Sequence, residues 1–454
     1  MSLLNRYKAN KAEKIYYKMN IYLTIEIFKR EFLSKLLIAM ESASRGMNVY
    51  LGRVKPYIMR DFFAPGIILD KSITPSPHRL KEMEYCKKKN FIYTSLDEEV
   101  GLIEVDDYYL KERYSNESLE LADKVFCWGN WDYNNLYKKF KKHKKKFVIS
   151  GNPRLDFWRK DFNSFFKKKK LKYNNYIFFS LNFSYLTSEK AFNKFLKFLK
   201  DSKYVDRGLT IEKVKKVKKD SYKMYKKFSK LITTLANKTD LQIIVRPHPT
   251  DPINNYDFLK KYSNVNVIKE GNISEWIHYA KIVVHSGCTG GLESSIRGRP
   301  TISYCPFKSV HGHRFADLFS KKTNDLNECI KMIQKFTKNE LKIKKKDLKK
   351  FNIRAHNLLS KKPGYKIIVD EFKKLEKIKK ITKKNNDLFL KFKFKARDFR
   401  AQVLNYKFDN IKFSTLDKNT TLEAFKILKN LNPKYSRLTV NFMKKDIIQI
   451  KNND

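Results

Sequence analysis

Short runs of β-branched and aromatic residues alternate with longer segments whose apolar residues recur at helical spacing, from about residue 20 onward. This alternation is typical of βαβ units, in which the strands form a parallel sheet. The first series predicts helices at residues 30–45 and 77–89, and strands at residues 21–26, 48–51, 66–69, 91–96, 124–128 and 147–150. The second predicts helices at 189–199, 220–237, 273–279 and 291–296, and strands at 176–181, 241–246, 265–268, 282–285 and 301–304.

Two such series predict two Rossmann-like domains, at residues 18–156 and 176–340. Residues 157–175 are Lys-rich without a clear apolar face and are predicted to be an interdomain linker. Residues 202–219 are predicted to be a basic surface insertion before a long helix. From residue 341 to 454 the chain is Lys-rich and mainly helical, and it is predicted to be an accessory region.

The chain is strongly basic, with 98 Lys and Arg against 47 Asp and Glu and a net charge of +51. Lysine greatly exceeds arginine and is spread along the whole chain, so no dedicated nucleic-acid face is predicted. Two interpretations remain open. The lysines reflect the amino-acid bias of an AT-rich genome, or they serve a membrane surface or another polyanion.

Five cysteines at wide spacing, without a CxxC pair, indicate neither a disulfide framework nor a zinc site. Residues 1–14 lack the apolar core of a signal peptide, and no stretch approaches the roughly 20 apolar residues of a membrane span. We therefore expect a cytoplasmic protein, with peripheral association at the inner face of the cytoplasmic membrane as an extension of that expectation.

Ligands of open α/β sheets bind beyond the carboxyl ends of the strands, and the sequence Arg246-Pro247-His248-Pro249 follows such a strand directly. Two prolines stiffen this turn, so that it presents one imidazole at the strand end. His248 there can donate to a phosphate or protonate a leaving group, with Arg246 and Pro249 beside it. The alternative is a rigid loop with an incidental histidine.

A second strand end, from His285 to Glu293, is rich in glycine and runs into a helix. Glycines permit close backbone approach, and the N–H groups at a helix start bind anions. This pattern favours a phosphate site over a plain turn. Glu293 either accepts hydrogen bonds from a ribose or stabilises the helix N-terminus. The other residues predicted to bind phosphate here are Ser286, Gly287, Thr289, Gly290 and Gly291.

Two further strand ends lie in the first series. Asp97-Glu98-Glu99 follows the strand at 91–96, and adjacent carboxylates that raise one another's pKa suit a general base, although acidic runs are usually solvated turns. Gly151-Asn152-Pro153-Arg154 follows the strand at 147–150. Asn152 and Arg154 either reach a nucleotide across the cleft or only shape the turn.

The absence of several well-known motifs disfavours some classes of enzyme. The sequence has no phosphate-binding P-loop, no Gly-x-Gly-x-x-Gly after the first strand, no metal-spaced His/Cys cluster and no Gly-x-Ser-x-Gly elbow. Kinase, ATPase, dehydrogenase and hydrolase activities are therefore disfavoured, and no metal site is predicted.

Residues from about 20 to 307 resemble the bacterial surface carbohydrate (polysaccharide) biosynthesis proteins, a GT-B-like family related in motif to capsule Kdo transferases and bacterial sialyltransferases. Besides the four motifs above, the resemblance involves Ile25-Glu26 with Arg30-Glu31, residues 65–72 and Gly298-Arg299-Pro300. It implies an α/β fold of two Rossmann-like domains facing a cleft. The first domain would bind the acceptor and the second the nucleotide-sugar, with a helical, Lys-rich C-terminal extension.

In the related transferases an acidic pair followed by glycine supplies the base for the acceptor hydroxyl, and a His-Pro motif contacts the phosphate of a CMP-linked donor. The resemblance therefore implies Glu98 or Glu99 as the base, and His248 as phosphate ligand and acid. Val100 interrupts the acid-acid-glycine pattern, so the choice between the two glutamates stays open. Glu26 joins Asn152 and Arg154 as an expected substrate contact.

The implied reaction is metal-independent transfer of a sugar, such as Kdo or another ulosonic acid from its CMP form, to a glycan or lipid-linked acceptor. The nucleotide-sugar is a substrate, and no separate cofactor is expected. An anionic membrane surface would attract the Lys-rich chain. Alternatives of similar fold are a CDP-polyol phosphotransferase and a UDP-sugar 2-epimerase. The hypothesis of a polyanion-binding protein without catalytic activity rests on the net charge alone.

Overall fold

The computed structural model describes residues 17–56, 62–98, 100, 107–167, 172–183, 188–201, 209–309, 314–341, 348–358, 360–379, 383, 385–403 and 416–453. Two sheets with mostly parallel strands carry helices on their faces, so the predicted α/β fold is confirmed. Each predicted strand is present, with ends that shift by no more than two residues.

The first sheet has eight strands in the order β13-β14-β2-β1-β3-β4-β5-β6. Strands β1 to β6 are all parallel, and their order reverses around β1, which lies between β2 and β3. Its strands are β1 (Asn20–Thr24), β2 (Asn48–Gly52), β3 (Ile67–Asp70), β4 (Ile92–Leu96), β5 (Lys124–Cys127), β6 (Phe147–Ile149), β13 (Leu438–Lys444) and β14 (Ile447–Asn452).

The second sheet has six parallel strands in the order β12-β11-β10-β7-β8-β9. Its order reverses around β7, which lies between β10 and β8. Its strands are β7 (Tyr176–Ser180), β8 (Ile243–Arg246), β9 (Val265–Val267), β10 (Ala280–His285), β11 (Thr301–Tyr304) and β12 (Lys321–Thr323). Strands buried on both faces read as continuous apolar runs, as in the fully buried β7 and β8.

Helices cover both sheets and connect their strands. In the first half they are α1 (Phe28–Ser44), α2 (Pro77–Lys88), α3 (Asp107–Arg113), α4 (Asn116–Leu121), α5 (Asn130–Lys139), α6 (Pro153–Asp156) and α7 (Asn163–Lys167). Then follow α8 (Glu189–Asp201), α9 (Ile211–Ala236), α10 (Ile273–Tyr279), α11 (Thr289–Ile296), α12 (Leu326–Thr337), α13 (Leu348–Arg354), α14 (Gly364–Ile378), α15 (Asp387–Val403) and α16 (Lys418–Leu431). Short 3-10 helices lie at Lys141–Lys146, Lys160–Phe162, Ile253–Leu259, Arg314–Phe319 and Pro433–Tyr435.

The C-terminal region is mostly helical, as predicted, but it ends in a hairpin that the sequence pattern did not reveal. Strand β14 pairs antiparallel with β2 and so extends the first sheet. Ile447, Ile448 and Ile450 are completely buried there. The chain thus returns from the second sheet to complete the core of the first.

Two local predictions need correction. The segment at 157–175 does have an apolar side, because Phe157, Phe162, Phe165 and Phe166 are buried in the core of the first sheet. The long helix α9 begins at Ile211, within the predicted insertion at 202–219, and Val214 in its first turns is buried. Residues 202–208 lie outside the described residues. In both segments a few apolar residues pack in the core. They were not recognised in the sequence because many lysines lie between them.

We expect Ile448→Ala to lower the free energy of unfolding by about 2–5 kcal/mol, because it opens a cavity where the C-terminal hairpin meets β2. The matched control is Ile378→Ala, since Ile378 is 82% exposed and its truncation is expected to change stability by less than about 0.5 kcal/mol. Urea denaturation of both variants measures the difference. Equal stability would show that the hairpin is not part of the core.

Candidate functional site

A cavity of about 420 Å³ lies between the two sheets, at the carboxyl ends of their strands. From the first domain it is lined by the start of α1, by Glu98 after β4, and by Arg154 and Trp158 after β6. From the second it is lined by the loops after β7, β8 and β9 and by the start of α11. Both sheets reverse their strand order beside this cavity, which is where open α/β sheets bind ligands.

The loop after β8 places His248 on the cavity wall, half-buried, with Pro247 buried and Pro249 exposed on either side. The backbone N–H of Thr250 donates to His248 Nδ1 at 3.2 Å, and Thr250 Oγ1 lies 2.8 Å from the same atom. Since Nδ1 accepts a hydrogen bond, the proton of the neutral ring is assigned to Nε2. His248 is thereby oriented as a hydrogen-bond donor through Nε2.

Arg246 also lines the cavity, but its guanidinium group is largely used within the protein. Its Nη1 and Nη2 donate to the carbonyl oxygens of Glu270 and Gly271 at 2.5 and 2.7 Å. Burial lowers the pKa of Arg246 to about 10, so it stays charged at neutral pH. These bonds fix the loop that leads into α10, whose N-cap residue Asn272 is another cavity residue.

His285 stabilises the glycine-rich turn between β10 and α11. Its side chain is completely buried. The N–H of Gly287 donates to His285 Nδ1 at 2.9 Å, and His285 Nε2 lies 2.8 Å from Ser320 Oγ. A Cβ on Gly291 would lie 2.3 Å from the His285 ring, and one on Gly290 would lie 2.4 Å from Ser180 Oγ. These two glycines are therefore required for close packing of the helix start.

The predicted phosphate-binding residues of this turn separate into two groups. Thr289, Gly290 and Glu293 line the cavity. Ser286, Gly287 and Gly291 do not line it, and Ser286 Oγ instead donates to Asn182 Oδ1 at 2.7 Å. Asn182 Nδ2 donates to the carbonyl of Gly287 at 3.1 Å, so this pair of bonds shapes the loop.

Glu293 forms a buried ion pair with Arg297, the residue that follows α11 as its C-cap, at 3.1 Å. Arg297 also donates to the carbonyl of Ser274 at 2.9 Å and lies 4.2 Å above the Phe166 ring. Glu293 is therefore partly neutralised, but it remains on the cavity wall, where it can accept a hydrogen bond from a ligand.

Glu98 is buried on the opposite wall and is surrounded by cations. Its Oε1 lies 3.3 Å from Lys35 Nζ, and its Oε2 lies 3.9 Å from Arg154 Nη1 and 3.4 Å from Asn152 Nδ2. Burial opposes ionisation, but Lys35, Arg154 and Arg30 outweigh it and lower the pKa of Glu98. Glu98 is therefore a carboxylate at neutral pH.

The expectation that neighbouring carboxylates would raise the pKa of this acidic run is wrong for Glu98. The raised pKa belongs to Glu31 on α1, where burial and the charge of Glu98 raise it to about 7. Glu31 accepts hydrogen bonds from the backbone N–H groups of Glu26 and Ile27 at 2.9 and 3.3 Å, at the N-terminus of α1. The adjacency of acids in the sequence did not predict the pKa of Glu98. The charges that lower it come from Lys35 and Arg30 on α1 and from Arg154 on α6.

The remaining predicted residues have different surroundings. Arg154 lines the cavity and donates to the Glu98 carbonyl at 3.0 Å. Asn152 is fully buried, caps α6 and bonds to Asn357 of the C-terminal region, so it does not line the cavity. Glu26 pairs with Lys71 away from the cavity lining. Glu99 lies outside the described residues.

Several residues of the site were not predicted from the sequence. Lys35 lies in the middle of the buried helix α1, and an isolated lysine in that apolar segment is a signal that could have identified it. Asn182 follows β7, so the strand-end rule applies to it as well. Trp158 and Phe166 add apolar surface from a segment predicted to be a linker.

Two features are absent from the described part of the chain. No cluster of three or more His, Cys, Asp or Glu side chains suited to a metal ion is found within it. Likewise, none of the helices in the ranges given above is both long and apolar enough to cross a bilayer.

Residues 189–361 match a family described as a protein of unknown function (DUF354). The chain matches none of the curated protein sequences with which it was compared.

Similar solved structures include the UDP-GlcNAc 2-epimerase of Methanocaldococcus jannaschii, at 11% identity and a TM-score of 0.45 over 78% of this chain and 98% of that one. A putative UDP-N-acetylglucosamine 2-epimerase from Listeria monocytogenes is 11% identical, with a TM-score of 0.48 over 80% and 98% of the two chains. The wall teichoic acid polymerase TagF is 13% identical, with a TM-score of 0.44 over 81% and 91%.

We expect Lys35→Met to lower the free energy of unfolding by about 3 kcal/mol, because it leaves the Glu98 carboxylate buried with weaker partners. The double variant Lys35→Met/Glu98→Gln should recover most of that loss, since no uncompensated charge then remains. The exposed Lys197→Met is the matched control. Chemical denaturation measures all three, and equal losses in the single and double variants would contradict the buried ion pair.

Proposed function

We propose that the protein is a nucleotide-sugar-dependent glycosyltransferase that transfers a sugar to a glycan or lipid-linked acceptor. The observation that carries this proposal is the arrangement of a single cavity. Groups suited to binding a phosphate lie on the wall formed by the second domain, and an ionised carboxylate from the first domain lies on the other wall. Its volume of about 420 Å³ falls in the roughly 300–1,000 Å³ range of small-molecule sites.

The wall formed by the second domain suits the phosphate of the donor. His248 is oriented with Nε2 as a donor, and the stiff Pro-His-Pro turn holds it in place. Thr289 and Gly290 form the first turn of α11, where backbone N–H groups lack intrahelical partners and attract anions. Together these groups would bind a phosphate and stabilise the negative charge that develops on it during bond breaking.

The wall formed by the first domain suits the acceptor. Glu98 is held in the ionised form that a general base requires. The acceptor oxygen would attack the anomeric carbon and give its proton to Glu98, while the bond from that carbon to the phosphate oxygen breaks. The electron pair leaves with the nucleotide, and His248 hydrogen-bonds to or protonates the leaving oxygen.

The cations around Glu98 also weaken it as a base, and this limits how the reaction proceeds. A low pKa means that Glu98 takes the proton only after the attacking hydroxyl has become acidic through partial bond formation. Proton transfer would therefore be late, after the bond to the leaving phosphate has largely broken. Glu99 is the second candidate for the base, as the resemblance implies.

For the sugar donor, we propose a CMP-linked Kdo or another CMP-linked ulosonic acid. The transfer would require neither a metal nor a separate cofactor. This assignment rests on the His-Pro turn and on the motifs shared with the related transferases. A CDP-polyol phosphotransferase would release CMP as well, whereas a UDP-sugar 2-epimerase would bind UDP and consume no acceptor. The cytoplasmic face of a membrane is the expected place of a lipid-linked acceptor.

We expect CMP to raise the melting temperature of the protein more than CDP, UMP or UDP. His248→Ala should weaken CMP binding by about tenfold or more, because a hydrogen bond to a charged group contributes roughly 1.5–3 kcal/mol. The control is His78→Ala, an exposed histidine outside the cavity. Thermal-shift titrations measure the affinities. Preference for UDP would favour the epimerase, and no stabilisation by any nucleotide would refute nucleotide-dependent catalysis.

We expect Glu98→Gln to lower kcat by about 10²–10⁴-fold while the affinity for the nucleotide is retained, because the amide cannot accept the acceptor proton. The exposed Glu84→Gln is the matched control and should leave kcat unchanged. Release of nucleotide from the donor is measured with and without acceptor. A Glu98→Gln enzyme with the kcat of the unmodified protein would exclude Glu98 and favour Glu99.

A further inference from the structure

Helix α15 exposes an unusual number of large apolar side chains. Its residues follow one another at about 100° around the axis and 1.5 Å along it, so its 17 residues extend over about 25 Å. Positions 388, 392, 399 and 403 therefore fall within about 60° of one another, and 389 lies at the margin of that arc. The exposed fractions are 80% for Leu388, 51% for Phe389, 68% for Phe392, 69% for Phe399 and 64% for Val403.

The opposite face of α15 already attaches the helix to the fold. Leu390 and Phe394 are buried, and the Phe394 ring lies 5.9 and 6.0 Å from the rings of Phe62 and Phe63. The helix also contacts strand β13 at the edge of the first sheet. Since packing requires only this inner face, the exposed apolar stripe has no role in folding within the described part of the chain.

The acidic residues of α15 face the fold, and its exposed charged residues are basic. Its two acidic residues are engaged with the fold, because Asp398 pairs with Lys444 at 2.8 Å and Asp387 accepts from Tyr50 at 2.9 Å. The exposed charges beside the apolar stripe are Lys391, Lys395 and Arg400, all of them basic. The outer face of α15 is thus apolar along its middle and cationic along its borders.

An apolar stripe bordered by Lys and Arg on a helix that lies flat on its domain is the pattern of an interfacial helix. We propose that the outer face of α15 docks on an anionic lipid bilayer, with the phenylalanine rings in the boundary between headgroups and acyl chains. The net charge of +51 adds long-range attraction to the same surface. This inference deepens the proposed function and rests on it in one respect, that a lipid-linked acceptor would lie in the same bilayer.

Charge argues against two other occupants of this surface. A second copy of the chain would place the same three basic residues against each other, because a twofold interface brings identical patches together. A nucleic acid would pair with the cations but would leave most of the apolar stripe in contact with water. An anionic bilayer, in contrast to both, offers negative headgroups and an apolar interior to the same face.

The test is co-sedimentation of the whole protein with vesicles of phosphatidylcholine, alone or mixed with phosphatidylglycerol. We expect binding to the mixed vesicles and about tenfold or greater loss of it in Phe392→Ser/Phe399→Ser, since two rings leave the interface. The matched control is Phe198→Ser/Phe258→Ser, which removes two exposed phenylalanines from the second domain. Equal losses in both double variants would overturn the assignment to α15.

A second variant separates charge from apolar contact. Lys391→Glu/Lys395→Glu/Arg400→Glu retains the apolar stripe and should weaken binding to anionic vesicles, although most of the net positive charge of the chain remains. If this variant binds the mixed vesicles as well as the unmodified protein, the proposal fails. It also fails if Phe392→Ser/Phe399→Ser abolishes dimerisation or binding to single-stranded RNA while vesicle binding is unchanged.

Failure of this inference can be distinguished from failure of the proposed function. The α15 residues are outside the cavity lining, so Phe392→Ser/Phe399→Ser should keep both the melting temperature and the affinity for CMP in solution. Conversely, His248→Ala should bind vesicles as the unmodified protein does. Loss of vesicle binding with intact nucleotide binding therefore reports on α15 alone.

Discussion

Parallel strands place all of their carboxyl ends at one edge of a sheet, and the loops that follow them have to share that edge. In this protein both sheets present this edge to the same cavity, each beside the strand around which its order reverses. The polar residues of the cavity come from the last residues of strands, from the loops after them or from the first two turns of the helices that follow. Topology therefore sets the position of the site, and side chains set only its chemistry.

Most charged groups around the cavity are committed to other protein groups, and this determines how the site would work. Arg246 bonds to two backbone carbonyls, Lys35 pairs with Glu98, and Arg297 pairs with Glu293. On the second domain, the His248 ring and the start of α11 line the cavity with oriented hydrogen-bond donors. Such groups are oriented before a ligand arrives, and preorganised dipoles of this kind stabilise developing charge without further rearrangement.

The sequence predicted what depends on local pattern. Strand positions, the stiff turn around His248 and the glycine turn before α11 are local features, and each lies near its predicted place. The directions of side chains could not be predicted in the same way, because Ser286 donates to a residue after a different strand and the Asn152 side chain donates to Glu98 after another strand. The pairing of β14 with β2 could not be predicted from periodicity, since β2 is distant in the chain and no local signal specifies the pairing.

Net charge alone gives a protein no orientation at a membrane, because lysines spread over a surface attract an anionic plane from many directions. Orientation requires a place where electrostatic attraction and burial of apolar area act together, and α15 is such a place. Its basic residues respond to salt through screening, whereas its phenylalanines do not. Because α15 packs on the first sheet through Phe394, docking there would fix the orientation of that sheet, and of the Glu98 carboxylate it carries, relative to the membrane.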